Sequence, residues 1–252
     1  MRAAPTTPKL RRLNLVLTSV LILLALGNSH DARAQQESSD PEAILAPYNK
    51  AIFDSSVYKF SNLRPLVPLK FDADRKATVV SLSDYQYSKG DTNVPVDLWV
   101  TAVPEVQTIC RSFVGDVSMR LRQLLGLHPA KRFSNFVVIS VNADDVFRPT
   151  ANPDPTTVLP CSPTIPANCG EGFPDNVTEG HVRWMAETML SHYVLSESHL
   201  IPAGYPWTRL GYTYDWKPGA NKYGASEYVI KKGSRIKVLE LIPYQTYCRP
   251  DK

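Results

Sequence analysis

The sequence predicts an α+β fold in which a mixed or antiparallel sheet packs on two main helices, stapled by disulfides. Three observations carry this. Strand-like alternation recurs at Ala77–Leu82, Val94–Val103 and Trp207–Trp216. Two segments, Pro104–Gly126 and Val177–Leu195, show helical spacing of apolar residues. Four cysteines follow a segment with the marks of an export signal, and the oxidising compartments that receive exported chains favour disulfides.

That segment is residues 1–34. Lys9, Arg11 and Arg12 precede an apolar run from Leu13 to Gly27, and Ala32-Arg33-Ala34 supplies the small-x-small pattern of a cleavage site. The run is shorter than the roughly 18 apolar residues a membrane span needs, and no later segment reaches that length. The expectation is an exported soluble protein, periplasmic or secreted, with no membrane span in the mature chain. Residues 35–252 are expected to form a single globular domain. Cleavage would remove five basic residues and one acidic one, leaving 23 of each sign. The mature chain is therefore electrically balanced, and no nucleic-acid partner is expected. The charge is unevenly spread, however: residues 134–204 carry net −6 and residues 205–252 net +5.

Taken in order, Pro41–Phe53 reads as a short helix. Ala77–Leu82 and Val94–Val103 read as strands, with Lys89-Gly90-Asp91 as the turn between them. In the second strand Val96, Leu98, Val100 and Ala102 alternate with Asp97, Trp99 and Thr101. Pro104 and Glu105 suit the first turn of a helix, which the apolar stripe continues to Leu125 before Gly126 ends it. Phe133–Val141 is a nearly continuous apolar run, as in a strand covered on both faces. Residues 148–176 hold seven prolines and two cysteines and read as a loop closed by Cys161–Cys169. Cys110, on the apolar stripe of the first long helix, is expected to pair with Cys248. Ser226–Lys231 and Arg235–Ile242 flank Lys232-Gly233 and read as a hairpin.

Catalytic signatures with a fixed spacing are largely missing: no GxSxG, HExxH, GxxxxGK or GxGxxG occurs, and no CxxC supports a metal site. No cofactor or metal is expected. His181 and His192 share a helix face but lie roughly 16 Å apart at 1.5 Å per residue, too far to hold one ion. The richest segment is Tyr205–Trp216. If it runs as a strand, Trp207, Arg209, Thr213 and Asp215 share one face, with Tyr212 on the other. An aromatic plate beside a fixed guanidinium and carboxylate suits recognition of a small polar or anionic ligand, or of an envelope partner. The leading expectation is therefore a non-catalytic binding protein using Trp207, Arg209, Tyr212, Thr213 and Asp215. The alternative is an exported transferase or hydrolase, with Glu227 or Asp215 as the working carboxylate and His181 as acid or base.

One local resemblance bears on that alternative. Glu227-Tyr228-Val229-Ile230-Lys231-Lys232-Gly233-Ser234-Arg235-Ile236-Lys237-Val238 resembles the hairpin that carries the catalytic glutamate of mono-ADP-ribosyltransferases. In that family a Glu opens an apolar strand, a turn with Ser or Thr follows, and a Phe-x-Val strand returns. The resemblance implies that Glu227 would bind a nicotinamide ribose and stabilise an oxocarbenium-like transition state. It spans about a dozen residues. Ala225 stands where the family has a second Glu or Gln, and the family's Ser-Thr-Ser segment is absent.

Overall fold

The computed structural model describes residues 41–160, 172–195 and 204–250. The expected export segment and the expected Cys161–Cys169 bridge lie outside the described residues. The chain forms two compact units, Met1–Ile44 and Leu45–Lys252, and the sheet, the disulfide and the cavity described below belong to the second.

Eight strands make one sheet: β1 (Lys76–Ser83), β2 (Gly90–Asn93), β3 (Leu98–Ala102), β4 (Asn135–Asn142), β5 (Val146–Phe147), β6 (Tyr212–Tyr214), β7 (Tyr223–Ile230) and β8 (Arg235–Pro243). Their order is β2-β8-β4-β1-β3-β7-β5, with β6 added on β7, and every pairing is antiparallel. The helices are α1 (Pro41–Ser56), α2 (Glu105–Cys110), α3 (Val117–Leu124), α4 (Glu179–His192) and α5 (Tyr244–Tyr247). The class is α+β, and the sheet is antiparallel rather than mixed.

The expected β7–β8 hairpin does not form. The turn itself is present, with the Ser234 N–H donating to Lys231 O at 3.1 Å. Of its two central residues only Gly233 has positive φ, at 85°. A two-residue hairpin with the twist of its strands needs positive φ at both central positions, or at the first; positive φ at the second alone splays the strands. Accordingly β7 pairs with β3, β5 and β6, while β8 pairs with β2 and β4. In a flat sheet β7 and β8 would stand roughly 19 Å apart, four strand spacings. A closed turn spans under about 7 Å. The sheet must therefore coil back on itself, and its inner face becomes one closed core. Val79, Val100, Val137, Ile139, Tyr228, Ile230, Ile236 and Val238 meet there, each 2% exposed or less.

The single helix expected over Pro104–Gly126 is two. Gly115 adopts φ +80°, and Asp116 accepts a hydrogen bond from the Met119 N–H, capping a new helix. The apolar spacing continues through the break because both pieces bury residues in one cluster with Val80, Phe136, Ala225 and Tyr247. Val114 sits in the break and is 93% exposed. Cys110 and Cys248 are joined as expected, with Cα atoms 5.1 Å apart across 138 residues of sequence. The second long helix is confined to α4, capped by Thr178.

Two further strand expectations change. Gly90–Asn93 is strand β2 rather than a turn, and Val94–Val103 contributes only β3. Asp97 breaks the alternation, because its carboxylate accepts from the Lys232 N–H at 2.8 Å and from Trp184 Nε1 at 2.7 Å. Trp207–Trp216 keeps only the three residues of β6. Arg209 and Gly211 take φ of 59° and 81°, and the chain doubles back so that Trp207 bridges Thr213. Both sides of the segment are consequently covered.

Candidate functional site

The reversal at residues 208–211 scatters the side chains that a continuous strand would have gathered. Asp215 pairs not with Arg209 but with Arg120, in a two-pronged ion pair of 3.0 and 2.5 Å. Arg209 donates to Ser56 O at 2.8 Å and lies over the Tyr193 ring. The Tyr212 hydroxyl donates to Asn62 O, and Thr213 Oγ1 donates to Leu124 O while accepting from the Ala225 N–H. These bonds fasten the segment to α1, α3 and β7. His181 Nε2 donates to Thr150 O at 2.7 Å, its ring beside Trp184 and Phe147, and burial lowers its pKa.

A cavity of about 430 Å³ lies against the outer face of the sheet. Of the residues singled out in the sequence, Trp207, Thr213, Glu227 and His192 line it; Arg209, Tyr212, Asp215 and His181 do not. Strand register explains the floor. Val80 pairs with Thr101 and Thr101 with Glu227, which sets these three residues in one row across β1, β3 and β7. Alternation turns Tyr228 and Ile230 into the coiled core and Glu227 outward. Leu125, Gly126 and Leu127 after α3 form one wall. Gly126 has φ +67°, and a Cβ there would meet Pro206 and Tyr214 at 3.4 Å, so the loop passes close against the segment that carries Trp207.

The remaining wall is aromatic. Trp99 and Trp207 are edge-to-face at 6.0 Å, and His192 lies 5.5 Å from Trp99 and 5.7 Å from Trp207. Tyr205 packs on His192 at 5.6 Å, and the Lys131 ammonium sits 5.4 Å over the Tyr205 ring.

Most polar groups along these walls are already paired. Ser81 donates to Trp99 O, Thr101 donates to Val80 O, and both Asp97 oxygens accept bonds. Two buried atoms are left without a partner: Glu227 Oε1 and Trp207 Nε1. Burial of Glu227 pushes its pKa up to about 8, against a smaller opposing effect of Arg148. Arg148 is itself fully buried, donating to Pro155 O, Thr157 O and the Tyr228 hydroxyl. Burial also pushes His192 down to about 4, so its ring is uncharged at neutral pH. At pH 7 the cavity thus holds a mostly protonated carboxyl and a neutral imidazole among tryptophans.

Trp99 is the member that sequence reasoning passed over; His192, placed there on one helix face with His181, also lines the cavity. Trp99 left a signal, since a large aromatic on the otherwise polar side of an alternating strand marks a covered face. Among the described residues no cluster of three or more His, Cys, Asp or Glu could hold a metal ion. No helix among them is long and apolar enough to cross a membrane. Compared with protein-family models, with curated proteins and with solved structures, the chain has no significant match.

Proposed function

We propose that this is an exported binding protein whose cavity takes up a small, largely apolar molecule against Glu227 and Trp207. The observation that carries the reading is that the unpartnered Glu227 Oε1 and Trp207 Nε1 both belong to residues lining the cavity. A buried polar group without a partner costs roughly 1–3 kcal/mol, and a ligand toward which the Glu227 carboxyl or the Trp207 indole turns recovers that cost. The volume lies in the range of small-molecule sites, and the lining is mostly apolar with a few polar groups, as such sites require. A ligand held by Arg209 and Asp215 is disfavoured, because both side chains are engaged elsewhere. The Cys110–Cys248 bridge is in keeping with export. A single mature domain over residues 35–252, with α3 and α4 as its main helical layer and a second bridge at Cys161–Cys169, completes the proposal; peptide mapping of the unreduced protein tests that bridge.

A second reading has one observation in its favour. Glu227 holds its proton near neutrality in the same cavity as an uncharged His192, as a general acid would in a hydrolase or transferase. The transferase hairpin does not support it, since β7 and β8 are not paired with each other.

Binding is tested with the neutral fluorophore prodan, whose emission shifts to the blue in an apolar site. Saturable binding at one site, abolished by Leu127→Trp, is the expected result. Binding unchanged by that substitution would remove the cavity from consideration.

A further inference from the structure

We infer that the ligand of this cavity is an organic cation, an amine or quaternary ammonium group seated among Trp99, Trp207 and Tyr205 with Glu227 as its counter-charge. The inference rests on the small-molecule reading above and narrows it. Two independent features point the same way.

The first is the arrangement of rings. Trp99 and Trp207 meet at 81°, so one offers a face where the other offers an edge. Tyr205 and the uncharged His192 continue the enclosure. A cation within about 6 Å of such faces is attracted by their quadrupoles, and most strongly where water is excluded.

The second is charge. The carboxylates lining the cavity are Asp97 and Glu227. Asp97 is occupied on both oxygens, whereas Glu227 Oε1 has no partner. When ionised, buried Glu227 has only the partial offset of Arg148, whose guanidinium is engaged with Pro155 O, Thr157 O and the Tyr228 hydroxyl, and a bound cation would supply the rest. A neutral ligand leaves Glu227 protonated and draws nothing from its charge, whereas an anion would face both carboxylates, the Lys131 ammonium being engaged over Tyr205.

Ionisation gives the inference a signature. The groups coupled electrostatically to Glu227 are Arg148, Tyr193 and Tyr212, and the other titratable groups along the cavity are Asp97, Lys131, His192, Tyr205 and Tyr214. With the carboxyl raised to about 8, a cation binding below that pH must displace the Glu227 proton. Cation affinity should therefore rise about tenfold per pH unit from pH 6 to 8 and then level off. A neutral ligand should show no such rise.

Acetylcholine and its uncharged carbon isostere, 3,3-dimethylbutyl acetate, would be titrated against prodan bound to the mature protein at pH 6, 7, 8 and 9. The expected result is that the cation binds at least tenfold tighter than the isostere at pH 8, with the rise described, and that Glu227→Gln removes both the preference and the pH dependence. Equal affinity of the pair, or displacement by neither while prodan itself binds, overturns the cation and leaves the cavity reading standing. Failure of prodan to bind overturns both. The wild-type pH profile needs no variant, so the inference stays testable should Glu227→Gln fold poorly.

Discussion

Glu227 should make the protein less stable as pH rises, and Glu227→Gln should cancel the effect. The ordinary carboxyl value is 4.5, and burial in the fold raises it to about 8. Between those values the folded chain keeps a proton that the unfolded chain has released. Stability then falls by about 1.4 kcal/mol per pH unit, or about 5 kcal/mol across the window. His192 works in the opposite direction. Its value drops from 6.5 to about 4, so the unfolded chain holds the extra proton and stability climbs from pH 4 to 6.5. The two slopes nearly cancel up to pH 6.5. Wild type should be close to flat there, lose about 2 kcal/mol between pH 6.5 and 8, and level off above. Glu227→Gln should instead gain stability up to pH 6.5 and hold it. Urea unfolding at half-unit pH steps, with equal m-values required for comparison, reads this directly. Parallel wild-type and Glu227→Gln curves from pH 6.5 to 8.5 would refute a buried, unpaired Glu227.

Other substitutions test the frame around the site. Arg120→Ala strands Asp215, whose side chain is 4% exposed, and should cost about 3–5 kcal/mol in urea unfolding, whereas replacing both partners by apolar residues should cost much less. Cys110→Ser with Cys248→Ser opens a loop of 138 residues and should cost up to about 5 kcal/mol on the chain-entropy model, seen as a lower melting temperature. Gly126→Ala forces a side chain into φ +67° against Pro206, and should cost about 1–2 kcal/mol while weakening prodan binding. Arg75→Ala, by contrast, breaks an ion pair exposed at 69% and 82%, and should change stability by under about 1 kcal/mol.

What local pattern encodes, the sequence conveyed well. Strands β1 and β4 coincide with apolar runs because their pairing over eight residues buries both. The Cys110–Cys248 bridge followed from a cysteine on an inward stripe. The break at Gly115-Asp116 was hidden because helical periodicity survives an interruption when both pieces face one cluster. The Lys232-Gly233 turn was read as a hairpin because composition reports that a turn occurs and not which sign of φ its first residue takes. The cavity was the least legible feature. Its floor depends on Thr101 meeting Glu227 across β3 and β7, a long-range register that no window of sequence contains. Glu227 was noticed through the hairpin resemblance, and it lines the cavity although that hairpin does not form. The Arg209–Asp215 plate misled, because alternation over ten residues implied a strand where positive φ at Arg209 and Gly211 folds the chain back.

The most direct measurement is a ¹H–¹⁵N spectrum of the tryptophan indoles with and without saturating prodan. The chain has four tryptophans, and the Trp216 indole is already donated to Leu127 O at 3.0 Å, while that of Trp207 has no acceptor. The expected result is that the Trp207 signal moves furthest, downfield as its N–H gains a partner. A Trp207 signal that stays in place while prodan binds would show that the cavity is not where the ligand sits.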